Sequence, residues 1–309
     1  MSNLGLLTHG PAPVRDRPEG EPMTILWAGL SVGAIYTLVA LGYNIPLAQT
    51  GIFNFAQGQI VVFGTFFAWF VMGDHGWPWW VAIVGGAAAG GLIAAVEELL
   101  AIRPVVAKGS HALLVTTVGA AVIIEGVLLA TWGSTTRSVN FFAGNNAFSL
   151  LGGRLLPVDL WLIAAAVVIS FGLHAVSRYT LWGLAGRAAT DDMAAAVVRG
   201  VNVTRLRMSA FILAGALGGA LGPLIGPVAG IDVSTGITLT IYGFVALALG
   251  GFGSFPGCLF GGMAIGLVEA YASRYFGVAY PPLILFGILI LLLLLKPAGL
   301  FGQRGLRVV

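Results

Sequence analysis

The sequence is short of charge. Its 309 residues carry 15 basic and 12 acidic side chains, 9% in all, where a soluble globular chain carries about a quarter. That scarcity excludes an ordinary soluble domain. Cysteine occurs once, at Cys258, so no intrachain disulfide framework is possible. Only two lysines are present, Lys108 and Lys296, and neither follows a glycine. The phosphate-cradling pattern G-x-x-x-x-G-K-[ST] is therefore missing, and the glycine-rich run Gly250–Gly257 reads instead as a tight helix break or re-entrant turn. The four histidines, His9, His75, His111 and His174, stand far apart and show no metal-ligand spacing. Nothing points to a cofactor, a metal or catalysis by this chain.

What is abundant is apolar surface, with 58% hydrophobic residues and a mean hydropathy of +0.96. A membrane-crossing helix needs about 20 mostly apolar residues. Runs between breakers place spans near 25–48, 58–73, 79–102, 112–132, 158–177, 207–228, 237–251, 257–274 and 282–296. The expected fold is an all-α, polytopic membrane helix bundle of about nine spans (eight to ten), with the second and seventh spans short and glycine-punctuated. The membrane domain covers 23–302. Residues 1–22 form a polar, disordered tail without the apolar core of a cleavable signal, and 303–309 a second tail. With nine spans and segment 178–207 inside, ten of the 15 basic residues lie on the cytoplasmic side and five outside, as the positive-inside rule requires. The N-terminus is then outside. The basic excess is topological and implies no nucleic acid.

A repeat is visible. Pro46-Leu47, Gly51-Ile52, Gly58 and Gly64 align with Pro223-Leu224, Gly230-Ile231, Gly236 and Gly243. Five spans separate the copies, an odd number, so the copies have opposite topology. Inverted repeats with interrupted helices are how transporters place a path near the midplane; the alternative is that glycine-rich spans align with one another without any repeat.

Acidic residues at membrane depth are costly and so are candidates for function. Glu125 and Glu269 lie within spans, where each either makes a structural hydrogen bond to a neighbouring helix or faces the substrate path. Glu97 and Glu98, close to Arg103, read as interfacial. Asp232 is placed to cap a following half-helix. Asn54, Phe55 and Gln57 sit at a helix break, which is either irregular backbone lining a cavity or buried in protein, with free N–H groups suited to anionic substrate groups, or a simple cytoplasmic turn. The glycine sets Gly85, Gly86, Gly90, Gly91 and Gly215, Gly218, Gly219, Gly222 have spacings suited to close helix packing.

Segment 183–205 is too polar to cross a membrane. Its alanine-rich stretch from Thr190 to Arg199 predicts one short helix. Asp191 and Asp192 stand at its start, Arg199 in its last turn and Gly200 just beyond. A capped helix in the largest internal loop is a docking element.

Six ordered stretches resemble the permease subunits of bacterial branched-chain amino acid ABC importers. They are Gly42-Tyr43, Gly51 to Gly58, Glu98-x4-Arg103-Pro104, the loop from Arg187 to Asn202, Val245 to Gly257, and Lys296 to Gly302. The likeness runs from about 25 to 302 and fits the shorter of the two permease types. The resemblance implies a pore formed with a second permease subunit, two cytoplasmic ATPase subunits, an extracytoplasmic substrate-binding protein and a small-molecule substrate, in the bacterial inner membrane. It also implies that Ala195-Ala196-x3-Gly200, flanked by Arg187, Asp192 and Asn202, is the coupling helix seated in an ATPase cleft. Glu125 stands where the family often carries a neutral amide, and relatives also move urea, short amides or aromatic acids. The competing reading is a stand-alone ion-coupled secondary transporter using Glu125 or Glu269.

Overall fold

The computed structural model describes residues 21–140, 143, 144, 146–296 and 299–302. Most of the expected tail 1–22, all of 303–309, and Pro297 and Ala298 of the last motif lie outside the described residues. The elements are α1 (Glu21–Thr50), α2 (Gln57–Ala68), α3 (Trp79–Glu97), α4 (Ser110–Trp132), β1 (Phe148–Leu150), β2 (Gly153–Leu155), α5 (Pro157–Tyr179), α6 (Leu181–Asp191), α7 (Met193–Val198), α8 (Val203–Ala220), α9 (Gly222–Ala229), α10 (Thr235–Gly250), α11 (Phe255–Tyr275) and α12 (Pro281–Leu295). Wider π turns extend α2 over Trp69–Asp74 and α3 over Glu98–Ile102.

The molecule is a membrane helix bundle because apolar helices satisfy their own backbone groups where no water can. Five helical segments are long and apolar enough to cross: Pro22–Thr50, Trp79–Ile102, His111–Trp132, Pro157–Tyr179 and Phe255–Tyr275. A sixth is the pair α8–α9, bent by 50°. Two shorter apolar helices are α10 and α12. The bend falls at Leu221, just before Pro223, while α2 and α10, in the second and seventh expected spans, are short. Pro223 sits in the first turn of α9, where a missing N–H costs nothing. The β1–β2 hairpin, an antiparallel pair of three-residue strands, is a small addition that the all-helical expectation did not contain.

α1 is the spine. Its 30 residues span about 45 Å, and from Gly33 almost to its end they are buried. Its start lies under the hairpin, where the Arg154 N–H donates to Thr24 Oγ1 at 3.1 Å. Its end lies against α6, whose Gly186 abuts the Gln49 amide. These two contacts define a hairpin end and an arginine-rich end. The most extensive helix pairs are α1 with α11 and α3 with α8. Both run on glycine: Gly33 faces Gly266, Gly86 faces Gly219 and Gly90 faces Gly215, backbone against backbone. Without side chains between them the helices approach closely.

α12 differs in kind. Leu283, Phe286, Ile290, Leu291, Leu294 and Leu295 all stand exposed, the uniform apolar face that lipid accepts. α4 also exposes Val115, Val122, Ile123 and Val127, but it carries Glu125 among them.

Candidate functional site

At the arginine-rich end three side-chain caps fold residues 180–205. Thr180 Oγ1 accepts the Gly183 N–H at 3.3 Å, Asp192 Oδ1 the Ala195 N–H at 3.0 Å and Asn202 Oδ1 the Arg205 N–H at 3.0 Å. The single helix expected over 190–199 is therefore two. Asp192 is extended (φ −151°, ψ 101°) and serves as the N-cap of α7, because its carboxylate satisfies N–H groups that would otherwise be unpaired. Asp191 ends α6 instead of starting the next helix. Gly200 follows with φ 91°, the left-handed stop expected of it.

The alanine pair separates. Ala196 is buried against Ala189 and Leu206, with Trp182 and Val201 around them, whereas Ala195 is exposed. What α7 offers outward is Met193, Val197 and Val198, the last 88% exposed, continued by Leu181 and Leu184 on α6. A groove of about 470 Å³ lies beside them, lined by Trp182, Gly200, Asn202 and Arg205 among others. Arg187 is half-buried and donates to the Arg178 carbonyl at 3.4 Å.

Just inside this end, Glu97 and Glu98 are not interfacial. Both are buried, Glu98 fully. Arg207 Nε donates to Glu98 Oε1 at 2.8 Å and Arg103 Nη2 to Oε2 at 3.3 Å. Glu97 Oε2 accepts from Asn54 Nδ2 at 2.9 Å, while Asn54 Oδ1 accepts the Ala56 N–H. Asn54 thus holds the break between α1 and α2 to the end of α3, and the acidic group it meets is an internal carboxyl. Phe55 belongs to an aromatic group with the half-buried Phe53, Phe244 and Phe252 and the fully buried Tyr43, whose neighbouring ring centroids are 4.5–6.4 Å apart. The 250–257 run is a tight break between α10 and α11, pinned where the Gly253 N–H donates to Asn44 Oδ1 at 2.8 Å.

Deeper in the bundle, Gln57 and Gln59 point to different neighbours, since residues two apart on a helix do not share a face. Gln57 Nε2 donates to the Ala214 carbonyl of α8 at 2.9 Å. Gln59 Nε2 donates to Glu125 Oε2 on α4 at 3.1 Å. Glu269 accepts the Tyr36 hydroxyl at 2.6 Å, and Tyr36 meets Tyr242 edge-on. Both in-span glutamates thus have a hydrogen bond to a neighbouring helix. Asp232 stands apart from them, exposed at the hairpin end. Its carboxylate accepts the Ser234 N–H and hydroxyl and the Thr136 hydroxyl, and the Ser234 hydrogen bonds hold it below the usual carboxylate range. The backbone pairing of Arg137 with Ile231 ties this turn to the loop after α4.

Gln59 and Arg207 escaped the sequence reading. Gln59 left a signal, a second amide two residues past Gln57 in an otherwise apolar helix. Arg207 left none, since its partner lies 109 residues away.

Residues 25–295 match the family described as branched-chain amino acid transport system, permease component. The chain belongs to this family. The permease is 27% identical over 292 residues to the high-affinity branched-chain amino acid transport system permease protein BraD of Pseudomonas aeruginosa, covering 89% of this chain and 94% of that one. It is 26% identical over 297 residues to the corresponding protein LivH of Escherichia coli K12, covering 90% and 94%. A fructose import permease protein, FrcC of Rhizobium meliloti, is 27% identical over 248 residues, covering 76% of this permease and 65% of the relative. No solved structure matches. The chain is thus a multi-pass membrane permease, a transport component and not an enzyme.

Proposed function

We propose that this permease translocates branched-chain amino acids or related small amino acids and amides through ATP-driven alternating access. The observation that carries the coupling is the α6–α7 pair. It projects Met193, Val197 and Val198 from the arginine-rich end while its inner face rests on the bundle through Ala196 and through Gly186 against Gln49. Exposed apolar side chains on a charged, capped, non-spanning segment need a protein partner. Two cytoplasmic ATPase subunits supply it, with Arg187, Asp192, Ala195, Ala196, Gly200 and Asn202 shaping the contact. A second permease subunit completes the pore, and an extracytoplasmic substrate-binding protein docks at the hairpin end. Closure of the ATPases pushes α6 against the end of α1 and biases the bundle between two states.

Nine passes and an inverted repeat fit this reading. The odd-numbered passes end at the arginine-rich end, where α1 meets α6 and α3 meets Arg207. The α1–α11 and α8–α3 pairs correspond under the Pro46/Pro223 alignment, and the break at 51–56 lies at the opposite end from the break at 230–234. The path is assigned to Asn54, Phe55, Gln57, Glu125 and Glu269, with Asp232 at its outer mouth. The substrate class rests on the similarity to the BraD and LivH branched-chain amino acid permeases.

Val198→Glu tests the coupling. The side chain is 88% exposed, so the melting temperature is expected to stay unchanged. Burying a lone charge in the ATPase cleft is expected to lower transport more than about tenfold, the size of an interface hot spot. Uptake and permease-stimulated ATP hydrolysis in proteoliposomes measure it, and wild-type values in both would remove the assignment.

A further inference from the structure

Carboxylates at membrane depth in this bundle are accounted for in different ways. Glu98 has two arginines. Glu97 is sealed in the core against Asn54. Glu269 takes a tyrosine hydroxyl beside a second phenol. Glu125 is different, being the sixteenth residue of the 23 in α4, about two-thirds of the way along a full crossing. Among the described residues no Lys, Arg or His forms an ion pair with it. Only Oε2 is engaged, by Gln59; Oε1 accepts nothing and is not enclosed in the core. Its neighbours on the same face, Val122 and Leu129, are 62% and 49% exposed, and added Cβ atoms at Gly119 and Gly126 would meet open space. A carboxylate facing hydrocarbon is costly, whereas α12 shows what a lipid-facing helix of this chain looks like. The half-buried Glu125 carboxylate therefore needs a polar neighbour on its open side.

Gln59 makes this a built site. It is 2% exposed, and its amide is wedged against Gly236, where even a Cβ would overlap it. The amide cannot swing away, so Glu125 is held with one oxygen presented. Gln59 Oε1 is buried without a partner, so the bond to Glu125 is what fixes the amide. A fixed carboxylate with one open oxygen, and no Lys, Arg or His paired to it among the described residues, suits a small cationic donor.

We propose that the Gln59–Glu125 pair receives the ammonium group of the transported molecule within the membrane-spanning bundle. This rests on the reading of the chain as an amino acid permease and names the substrate group that one pair of residues recognises. A free inorganic cation would satisfy the same carboxylate, so the test separates the two.

The assembled transporter, in ATP-loaded proteoliposomes, is assayed for leucine uptake. Glu125→Gln keeps an acceptor for Gln59 and removes only the charge, so assembly is preserved. Uptake is expected to fall at least about tenfold, the weight of one charge-assisted hydrogen bond. The exchange Gln59→Glu with Glu125→Gln restores one carboxylate and one amide to the pair, and uptake is expected to return to within about threefold of wild type. Independently of transport, modification of Glu125 by a hydrophobic carbodiimide, read by mass spectrometry, is expected to be slowed by methylammonium but not by choline or sodium. Wild-type uptake by Glu125→Gln, failure of the exchange to restore uptake, equal modification with methylammonium and choline, or protection by sodium would each overturn the ammonium site. A wild-type transporter that moves no leucine while methylammonium still protects Glu125 would overturn the amino acid reading and leave the site standing.

Discussion

Replacing Arg207 with methionine is expected to lower the melting temperature of the purified permease by on the order of 10 °C. Glu98 has no exposed surface, and its nearest cation is Arg207, 5% exposed, at 2.8 Å. Arg103 also reaches it, at 3.3 Å, but that side chain is 42% exposed and partly solvated. Without Arg207 the carboxylate stays buried with a weak, half-hydrated partner. Removing one member of a buried pair costs about 3–5 kcal/mol, and each kcal/mol is worth about 2–4 °C in a chain of 150–250 residues. The double variant Glu98→Leu with Arg207→Met is expected to regain most of the loss, because a buried ion pair exchanged for apolar side chains is often neutral or stabilising. A shift below 2 °C for Arg207→Met alone would show that Arg103 and membrane-depth water suffice. The pair also has a mechanical place. Arg207 sits in the second turn of α8, five residues after the Asn202 cap that ends the α6–α7 segment. Whatever moves α7 is therefore passed to α3 through this contact, and transport in the double variant is expected to stay low even where stability is regained.

The contrast between Glu98 and the spans shows what was legible in the sequence. Segments expected at 112–132, 158–177, 257–274 and 282–296 are helices Ser110–Trp132, Pro157–Tyr179, Phe255–Tyr275 and Pro281–Leu295. A crossing helix must be apolar along its whole length and bonds only to itself, so its signal is local. The cap at Asp192 was misread because two local rules compete there. A carboxylate suits the first turn of a helix through the dipole and equally suits the residue before it as an N-cap, and only the backbone decides which. The buried state of Glu98 could not be read at all, since Arg103 is near in sequence and Arg207 is far. Likewise the Gln59–Glu125 pair joins helices whose mutual register no periodicity records.

The other large effect is expected at the α3–α8 contact. Gly219→Leu is expected to leave no monodisperse permease after detergent extraction, and Gly219→Ala to lower the melting temperature measurably. A Cβ on Gly219 would overlap the carbonyl of Gly86 and press on the Cα of Gly90. These are backbone atoms of a neighbouring helix and cannot rotate away as a side chain could. Overpacking a well-filled core costs about 1–3 kcal/mol even where side chains can give; here α3 must separate from α8. The consequences extend along both helices. Gly90 is seated against Gly215 one turn further on, and the Glu98–Arg207 pair closes the same interface at its arginine-rich end. Moving the helices apart would open the glycine contacts and the ion pair together, so Gly219→Ala and Arg207→Met are expected to be less than additive in melting temperature, as residues sharing one interface are. Gly287→Leu provides the comparison. It lies on α12 with nothing within 4 Å of an added Cβ, and leucine favours helix over glycine, so its melting temperature is expected to match or exceed wild type. If Gly219→Leu and Gly287→Leu melted alike, close backbone approach would not be what joins α3 to α8, and the route from α7 into the bundle would have to run through side chains alone.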